Sequence, residues 1–263
     1  MLKRELKVNF KSFLIWTILV VVLYLLVFAI YPSISSNENI KMIDQMVDIF
    51  PPEVIKAFNM DIASIDTAFG WLKTEGFVFI LLIVGAYSAI LGSSILLKEE
   101  NDKTIEYLNS LPITRNKIVT SKILTAITYI VSMIIIITIA NFIGISYNGD
   151  FNKKEFLLLS ITPIFPSLLL FAICLFISTF TNKTKKTLGI SLGLVFISYI
   201  FQMISSIGEE LEFLKYVSVF TLADIRNVIT DVSLNPLLII LTFILTTIFL
   251  LLTYYRYNKK ELT

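Results

Sequence analysis

The sequence predicts an all-α integral membrane protein with six transmembrane helices. Hydrophobic residues make up 56% of the 263 residues and charged residues only 16%, and the mean hydropathy is +0.82. A soluble domain of this length has a more polar composition. All Lys, Arg, Asp and Glu residues also lie outside six long apolar windows. Because one charge at the centre of a span costs roughly 2.5 to 3.5 kcal/mol, this exclusion indicates real spans.

The six windows are each longer than the about 20 residues that a helix needs to cross the hydrocarbon core. A secretory signal would also explain the first window, which follows several basic residues. Its apolar core is too long for a cleaved signal and no small-residue cleavage site follows, so we expect it to be retained. The predicted spans are residues 13–31, 77–97, 123–146, 156–180, 187–207 and 234–255.

An even number of spans places both termini on one side, and the charges indicate which side. The segments on the side of the termini hold 15 of the 22 Lys and Arg residues, although they are shorter in total than the opposite segments. The positive-inside rule therefore predicts cytoplasmic termini, a cytoplasmic loop at 98–122, and outer loops at 38–75 and 209–231. We expect residues 1–263 to form a single transmembrane domain.

The first outer loop contains an apolar pattern of its own. This pattern fits a short interfacial helix, and it fits an ordered loop packed on the bundle equally well. The residues that recur at helical spacing are Ile40, Ile43, Val47 and Phe50.

The loop between the second and third spans, KEENDKTIEYLNSLPITRNKIVTSK, is the most charged stretch of the chain. Ile105, Leu108 and Leu111 fall at i, i+3 and i+6, which predicts a short helix with one apolar stripe. Pro112 ends that helix, and Thr114 is placed to cap the next one, which continues into the third span. Charges of both signs surround the stripe, and this favours a protein partner over lipid headgroups. A solvated turn between two spans is the alternative interpretation.

This loop resembles the first cytoplasmic loop of permease subunits in the type-2 ABC exporter family. In that family an acidic pair, Gly-Thr, a Leu-rich short helix, Leu-Pro-hydrophobic-Ser/Thr-Arg and a Lys precede the third span. The six spans and an amphipathic amino-terminal helix are similar too, but Lys103 stands where the family usually has Gly. The matching positions are Glu99, Glu100, Thr104, Glu106, Leu108, Leu111, Pro112, Thr114, Arg115 and Lys122.

The resemblance implies a role for the loop and a set of partners. In the family the short helix is a coupling helix that sits in a groove of an ATP-binding subunit. The resemblance thus implies the membrane-spanning subunit of an ATP-driven exporter in the cell membrane, which pairs with an ABC ATPase and with a second permease copy or a related permease. An uncharged pathway suits an amphipathic cargo such as a peptide, an antibiotic or a lipid-like compound. The residues expected to dock on the ATPase are Glu99, Glu100, Thr104, Ile105, Glu106, Tyr107, Leu108, Leu111, Pro112 and Arg115.

The chain itself is not expected to bind a nucleotide, a metal or a nucleic acid. Gly144 and Gly149 have the outer spacing of a phosphate-binding loop, but Asp150 and Phe151 follow where Lys and Ser or Thr are needed. ATP and Mg²⁺ are therefore expected on the partner subunit, and this chain is expected to be a transport subunit rather than an enzyme.

Two other classes of function compete with the exporter. An intramembrane protease is suggested by Glu99-Glu100, but Lys103 stands where such sites need Arg, and the sequence contains no His. An ATP-independent secondary transporter or channel normally shows ionisable residues within its spans, or Gly/Pro-broken helices in both halves. Here Pro163 and Pro166 interrupt only the fourth span. The second class is kept as the alternative.

Two groups of small residues predict close helix packing. Gly85, Ala89 and Ser93 form a ridge in the second span, and Gly189 and Gly193 form a GxxxG pair in the fifth. Each group fits packing within one chain or a seam between two permeases.

Overall fold

The computed structural model describes residues 1–35, 51, 67–105 and 112–260. All regular secondary structure in these ranges is helical, which confirms the predicted all-α class. The proposed interfacial helix and the centre of the loop between the second and third spans lie outside the described residues. The predicted docking residues that this leaves without a described position are Glu106, Tyr107, Leu108 and Leu111.

The described helices follow one another in chain order. The α-helices are α1 (Leu2–Ile34), α2 (Ala68–Trp71), α3 (Phe77–Ile95), α4 (Lys98–Asn101), α5 (Arg115–Asn148), α6 (Lys153–Ile161), α7 (Ile164–Ser178), α8 (Thr184–Ser205), α9 (Arg226–Asp231) and α10 (Pro236–Lys259). A π-helical segment, Leu72–Gly76, joins α2 to α3, and two 3-10 helices, Glu209–Tyr216 and Val219–Ala223, precede α9. Within the described ranges, six helical stretches are long and apolar enough to cross a membrane, namely α1, α2 with α3, α5, α6 with α7, α8 and α10.

The amphipathic amino-terminal segment and the first span form one continuous helix, α1. The buried residues of this helix recur every three or four positions, from Glu5 and Asn9 to Phe28 and Tyr31, and make one inward face. The neighbouring basic residues are exposed. Helix α1 therefore begins eleven residues before the predicted span. Its first turns are polar on the outside, but they continue the buried face of the span, so the helix extends through them.

The second span begins at Ala68, nine residues before the predicted start. Thr67 caps it by accepting a backbone N–H in its first turn. Lys73 and Glu75, which suggested a loop, lie within the helix, and the Lys73 ammonium is 3.1 Å from the carboxylate of Glu155 in α6. A charged turn can continue the helix here because its lysine has a partner on the neighbouring helix.

The fourth span is broken where the prolines predict a break. Helix α6 ends at Ile161 and α7 begins at Ile164, so Thr162 and Pro163 separate them. Pro166 lies in the first turn of α7. Proline has no backbone N–H, but in the first turn this group has no intrahelical partner, so the helix loses no hydrogen bond.

Helix α7 lies at the centre of the bundle, packed against α3 and α10. Helix α1 packs along α5, and α8 packs against α3. Gly92 marks the closest approach of α3 to α7, since a Cβ built on it would lie 2.5 Å from the carbonyl oxygen of Phe171. Apolar outer faces such as that of α10, the least buried of the six spans, are suited to lipid contact.

The two groups of small residues have different surroundings. Ala89 and Ser93 are fully buried, and a Cβ on Gly85 would approach the side chains of α7 and of the second 3-10 helix. This ridge therefore packs within the chain. Gly189 and Gly193 have no atom within 4 Å of an added Cβ, so the GxxxG face of α8 is open.

Candidate functional site

The candidate site is the end of the bundle where the two termini meet the loop between the second and third spans. Four segments come together there: the start of α1, the loop with α4 and the first turns of α5, the turn between α7 and α8, and the end of α10. We call this region the terminal end of the bundle. Polar and charged contacts link its four segments.

Lys122 is the centre of the first group of contacts. Its side chain is fully buried, and its ammonium nitrogen lies 2.8 and 3.0 Å from the two carboxylate oxygens of Glu99. The same nitrogen is 3.3 Å from the Glu5 carboxylate and donates to the carbonyl oxygen of Ile95 at 2.6 Å. One lysine thus joins α1, α3, α4 and α5. Its three N–H groups have three separate partners, as a buried ammonium requires.

A second group of contacts holds the carboxyl end of α10. The Lys260 ammonium lies 2.8 and 2.9 Å from the carboxylate oxygens of Glu100 and 3.0 Å from the carbonyl oxygen of Thr181. Arg115 places Nη1 within 3.2 Å of the carbonyl oxygens of residues 257, 258 and 260. Unpaired carbonyls at a helix end carry a partial negative charge, so a guanidinium stabilises this end of α10.

Neutral hydrogen bonds strengthen the same connections. The Tyr129 hydroxyl on α5 donates to the carbonyl oxygen of Leu6 on α1. The amide of Asn258 on α10 donates to the side-chain oxygen of Asn116 on α5 at 2.7 Å. These bonds repeat the links that the ion pairs make, so the described parts of the loop are held to both the first and the last span.

The predicted docking residues that the structure describes divide into an inward-facing set and a more exposed set. Glu99, Glu100 and Ile105 point into the chain, and the last of these packs with Ile118 in a small apolar cluster. Thr104 and Pro112 are exposed, and Arg115 is partly buried in its contact with α10. The structure brings Glu99, the first residue of the acidic pair, to 2.8 Å from Lys122, the last residue of the matching pattern, whereas Glu100 pairs with Lys260.

Comparison with known protein families agrees with this architecture. The family model described as ABC-2 family transporter protein matches residues 1–262. The chain belongs to the ABC-2 transporter family. This confirms the resemblance seen in the loop, and it makes the protein a membrane transporter subunit. A comparison with curated proteins gave no match.

Among the ion-pair residues of this ABC-2 subunit's terminal end, sequence reasoning missed two, Glu5 and Lys260. Glu5 carried a signal, because it is the one acidic residue among four basic ones in residues 1–11. An acid in such a segment suggests a specific partner. Lys260 carried no signal, since its partner Glu100 lies 160 positions away in the chain.

The position of Lys103 explains why the family usually has Gly there. Its φ is +53°, in the left-handed region that costs most residues roughly 1 to 2 kcal/mol. Thr104 follows with its backbone N–H bonded to the carbonyl oxygen of Glu99 at 2.9 Å. The left-handed residue therefore reverses the chain just after α4.

We expect Lys103→Gly to preserve or raise the melting temperature of the purified protein and Lys103→Val to lower it, because a β-branched residue is strained at positive φ. Light scattering during heating in detergent measures both. Asp102→Val is the matched control, since the neighbouring φ is −80°. Equal losses for Lys103→Val and Asp102→Val would show that the backbone at Lys103 is not strained.

Proposed function

We propose that this ABC-2 subunit is the membrane-spanning part of an ATP-driven exporter in the cell membrane. A separate ABC ATPase binds the 98–122 loop from the cytoplasm and holds the ATP and Mg²⁺. The subunit forms the pathway for an amphipathic cargo such as a peptide, an antibiotic or a lipid-like compound. Family membership supports placing the transport pathway in this subunit, and the lack of a phosphate-binding loop in the sequence supports placing ATP on a separate one.

The observation that carries the proposal is the attachment of the loop to the spans by buried ion pairs. Glu99 and Glu100 leave α4 in different directions, one to Lys122 on α5 and one to Lys260 after α10. A force on the loop therefore moves α3, α5 and the end of α10 together, and Glu5 adds α1. In this proposal Glu99 and Glu100 position the loop, and the ATPase contacts its exposed and central residues.

Two further features support the assembly and its orientation. The excess of Lys and Arg on the side of the termini favours a cytoplasmic terminal end, where an ATPase has access. Gly189 and Gly193 lie on an open face of α8, so a second permease copy or a related permease has a surface for close helix contact. Three of the four buried charged residues in the described ranges, Glu5, Glu99 and Lys122, pair with one another at the terminal end, which fits coupling there better than an ATP-independent ion pathway.

Co-expression with each ABC ATPase of the source organism tests the proposal. We expect one ATPase to co-purify with the tagged permease and to hydrolyse ATP in the complex. Leu108→Arg is expected to abolish this co-purification, because it puts a charge in the apolar stripe that docks. Phe213→Arg, which adds the same charge at an exposed apolar residue in the loop between the fifth and sixth spans, is expected to retain the ATPase.

Equal recovery of the ATPase with Leu108→Arg and Phe213→Arg would contradict docking through this loop. Transport by the permease reconstituted without any ATPase would favour the ATP-independent alternative instead. Membrane insertion of each variant is checked by its yield in the membrane fraction.

A further inference from the structure

The first turns of α1 carry a row of exposed basic residues. Lys3, Arg4, Lys7 and Lys11 all lie on the surface of the protein. Within the described part of the chain, none of these four side chains forms an ion pair. At about 100° of rotation per residue, the four fall within an arc of about 100° around the helix axis. We call this row the basic stripe of α1.

The basic stripe faces away from the bundle. Glu5, the one acidic residue in residues 1–11, lies on the opposite side of the helix, where it is buried and paired with Lys122. Asn9 lies on the same buried side. On α4, the ammonium of Lys98 is 3.5 Å from the carbonyl oxygen of Val8, so the neighbouring helix adds a positive charge beside the stripe. The fold therefore turns the acid inward and leaves an outward surface of basic residues.

One turn further along the chain, the same face of α1 becomes apolar. Leu14, Ile15 and Ile18 are 40%, 54% and 52% exposed, and at helical spacing they continue the arc of the basic stripe. An exposed apolar face on a spanning helix is suited to lipid contact. A lipid whose acyl chains lie along this face therefore has its head group beside the basic stripe.

The length of α1 places the stripe at the depth of the lipid head groups. The helix has 33 residues and is about 50 Å long, whereas the hydrocarbon core is about 30 Å thick. Each head-group layer adds about 5 to 8 Å. Lys11 lies just outside the predicted span, and Lys7 is about 6 Å further along the axis, so both fall in this layer. Lys3 and Arg4 lie beyond it, and their flexible stems allow them to reach back toward it.

We propose that the basic stripe binds the phosphate of an anionic phospholipid in the leaflet on the side of the termini, with Lys7 and Lys11 as the main contacts. The row of positive charges favours an anionic head group over a zwitterionic one, because a zwitterionic head brings a cation of its own. The occupant is a lipid rather than an acidic protein, since the stripe continues into a lipid-facing apolar face. The site lies on one chain and requires neither the ATPase nor ATP.

Native mass spectrometry of the purified full chain tests this site, with separate titrations of phosphatidylglycerol and of phosphatidylcholine that carry the same acyl chains. We expect the chain to bind phosphatidylglycerol about tenfold or more tightly than phosphatidylcholine. The double variant Lys7→Gln and Lys11→Gln is expected to lose most of this preference. Lys7→Arg with Lys11→Arg is expected to retain it, because both charges remain. All these side chains are exposed, so the variants are expected to melt as the wild type does.

The matched control is Lys153→Gln with Lys154→Gln, which removes two exposed lysines at the opposite end of the bundle. These two residues are adjacent in α6 and therefore point in different directions, and Asp150 precedes them, so we expect this variant to bind as the wild type does.

Equal binding of the two lipids to the wild type, or an unchanged preference in Lys7→Gln with Lys11→Gln, would overturn the proposal. An equal loss of preference in the control variant would show that net charge selects the lipid, and would overturn it as well. If the Lys7→Gln and Lys11→Gln variant keeps its lipid preference but loses a co-purified ATPase, the stripe is a docking surface for the ATPase and the proposal is wrong. Failure of every ATPase to co-purify would instead count against the proposed function alone.

Discussion

Lys122→Met is expected to lower the free energy of unfolding of this ABC-2 subunit by about 3 to 5 kcal/mol, the usual cost of removing one partner from a buried ion pair. The ammonium of Lys122 is the charged partner of both Glu5 and Glu99, and it also bonds the carbonyl oxygen of Ile95. Methionine fills a similar volume but leaves two carboxylates and a carbonyl buried without it. The loss is therefore electrostatic rather than steric.

Denaturant titration of the purified protein in mild detergent, followed by tryptophan fluorescence, measures this change. Lys117→Met is the matched control, because Lys117 is an exposed lysine on the same helix. The triple variant Glu5→Gln, Glu99→Gln and Lys122→Met removes all three charges and is expected to recover part of the stability. If Lys122→Met and Lys117→Met unfold alike, the buried ion pairs do not hold the terminal end together.

Gly92→Ala is expected to lower the stability of the bundle by about 1 to 3 kcal/mol through overpacking between α3 and α7. The new Cβ would lie 2.5 Å from the carbonyl oxygen of Phe171 and 3.1 Å from the backbone nitrogen of Leu175. Both atoms belong to the backbone of α7, so no side-chain rotation relieves the contact. The two helices must move apart at the centre of the bundle.

Gly208→Ala is the control for this substitution, since nothing lies within 4 Å of its added Cβ. The backbone at Gly208 is extended, with φ −164° and ψ 162°, which alanine also adopts, so this variant is expected to be neutral. Melting temperatures in detergent, measured side by side, compare the two. Equal melting temperatures would mean that α3 and α7 are not in close contact at Gly92.

The sequence predicted the elements whose causes are local. Six apolar windows predicted six spans, Thr114 predicted the start of α5, and Pro163 predicted the break in the fourth span. The start of the second span was placed nine residues late, because the uncharged window begins only after Lys73 and Glu75. The partner of Lys73, Glu155, lies 82 positions away. A boundary that depends on a distant ion pair leaves no trace in the local pattern.

In the loop between the second and third spans, too, the features with local causes were predicted and those set by distant contacts were not. The cap at Thr114 was predicted correctly, and the resemblance of the loop to the ABC-2 family was confirmed across the chain. The short helix that Pro112 was predicted to end lies outside the described residues. The sequence did not show which way the acidic pair faces. Both carboxylates turn inward, Glu99 to Lys122 and Glu100 to Lys260, and these ion pairs join the loop to α5 and to the end of α10.

By itself, then, the sequence determined the number of spans, the membrane setting and the family, because hydrophobic length and local turn chemistry act over a few residues. Only the tertiary structure decided which helices are in contact, which glycines lie against a neighbouring helix, and which residues the buried charges pair with. A charge excluded from lipid must find a partner wherever the fold supplies one, and Glu100 finds Lys260 across 160 positions of the chain. That choice depends on how the six spans pack, and the local sequence does not record it.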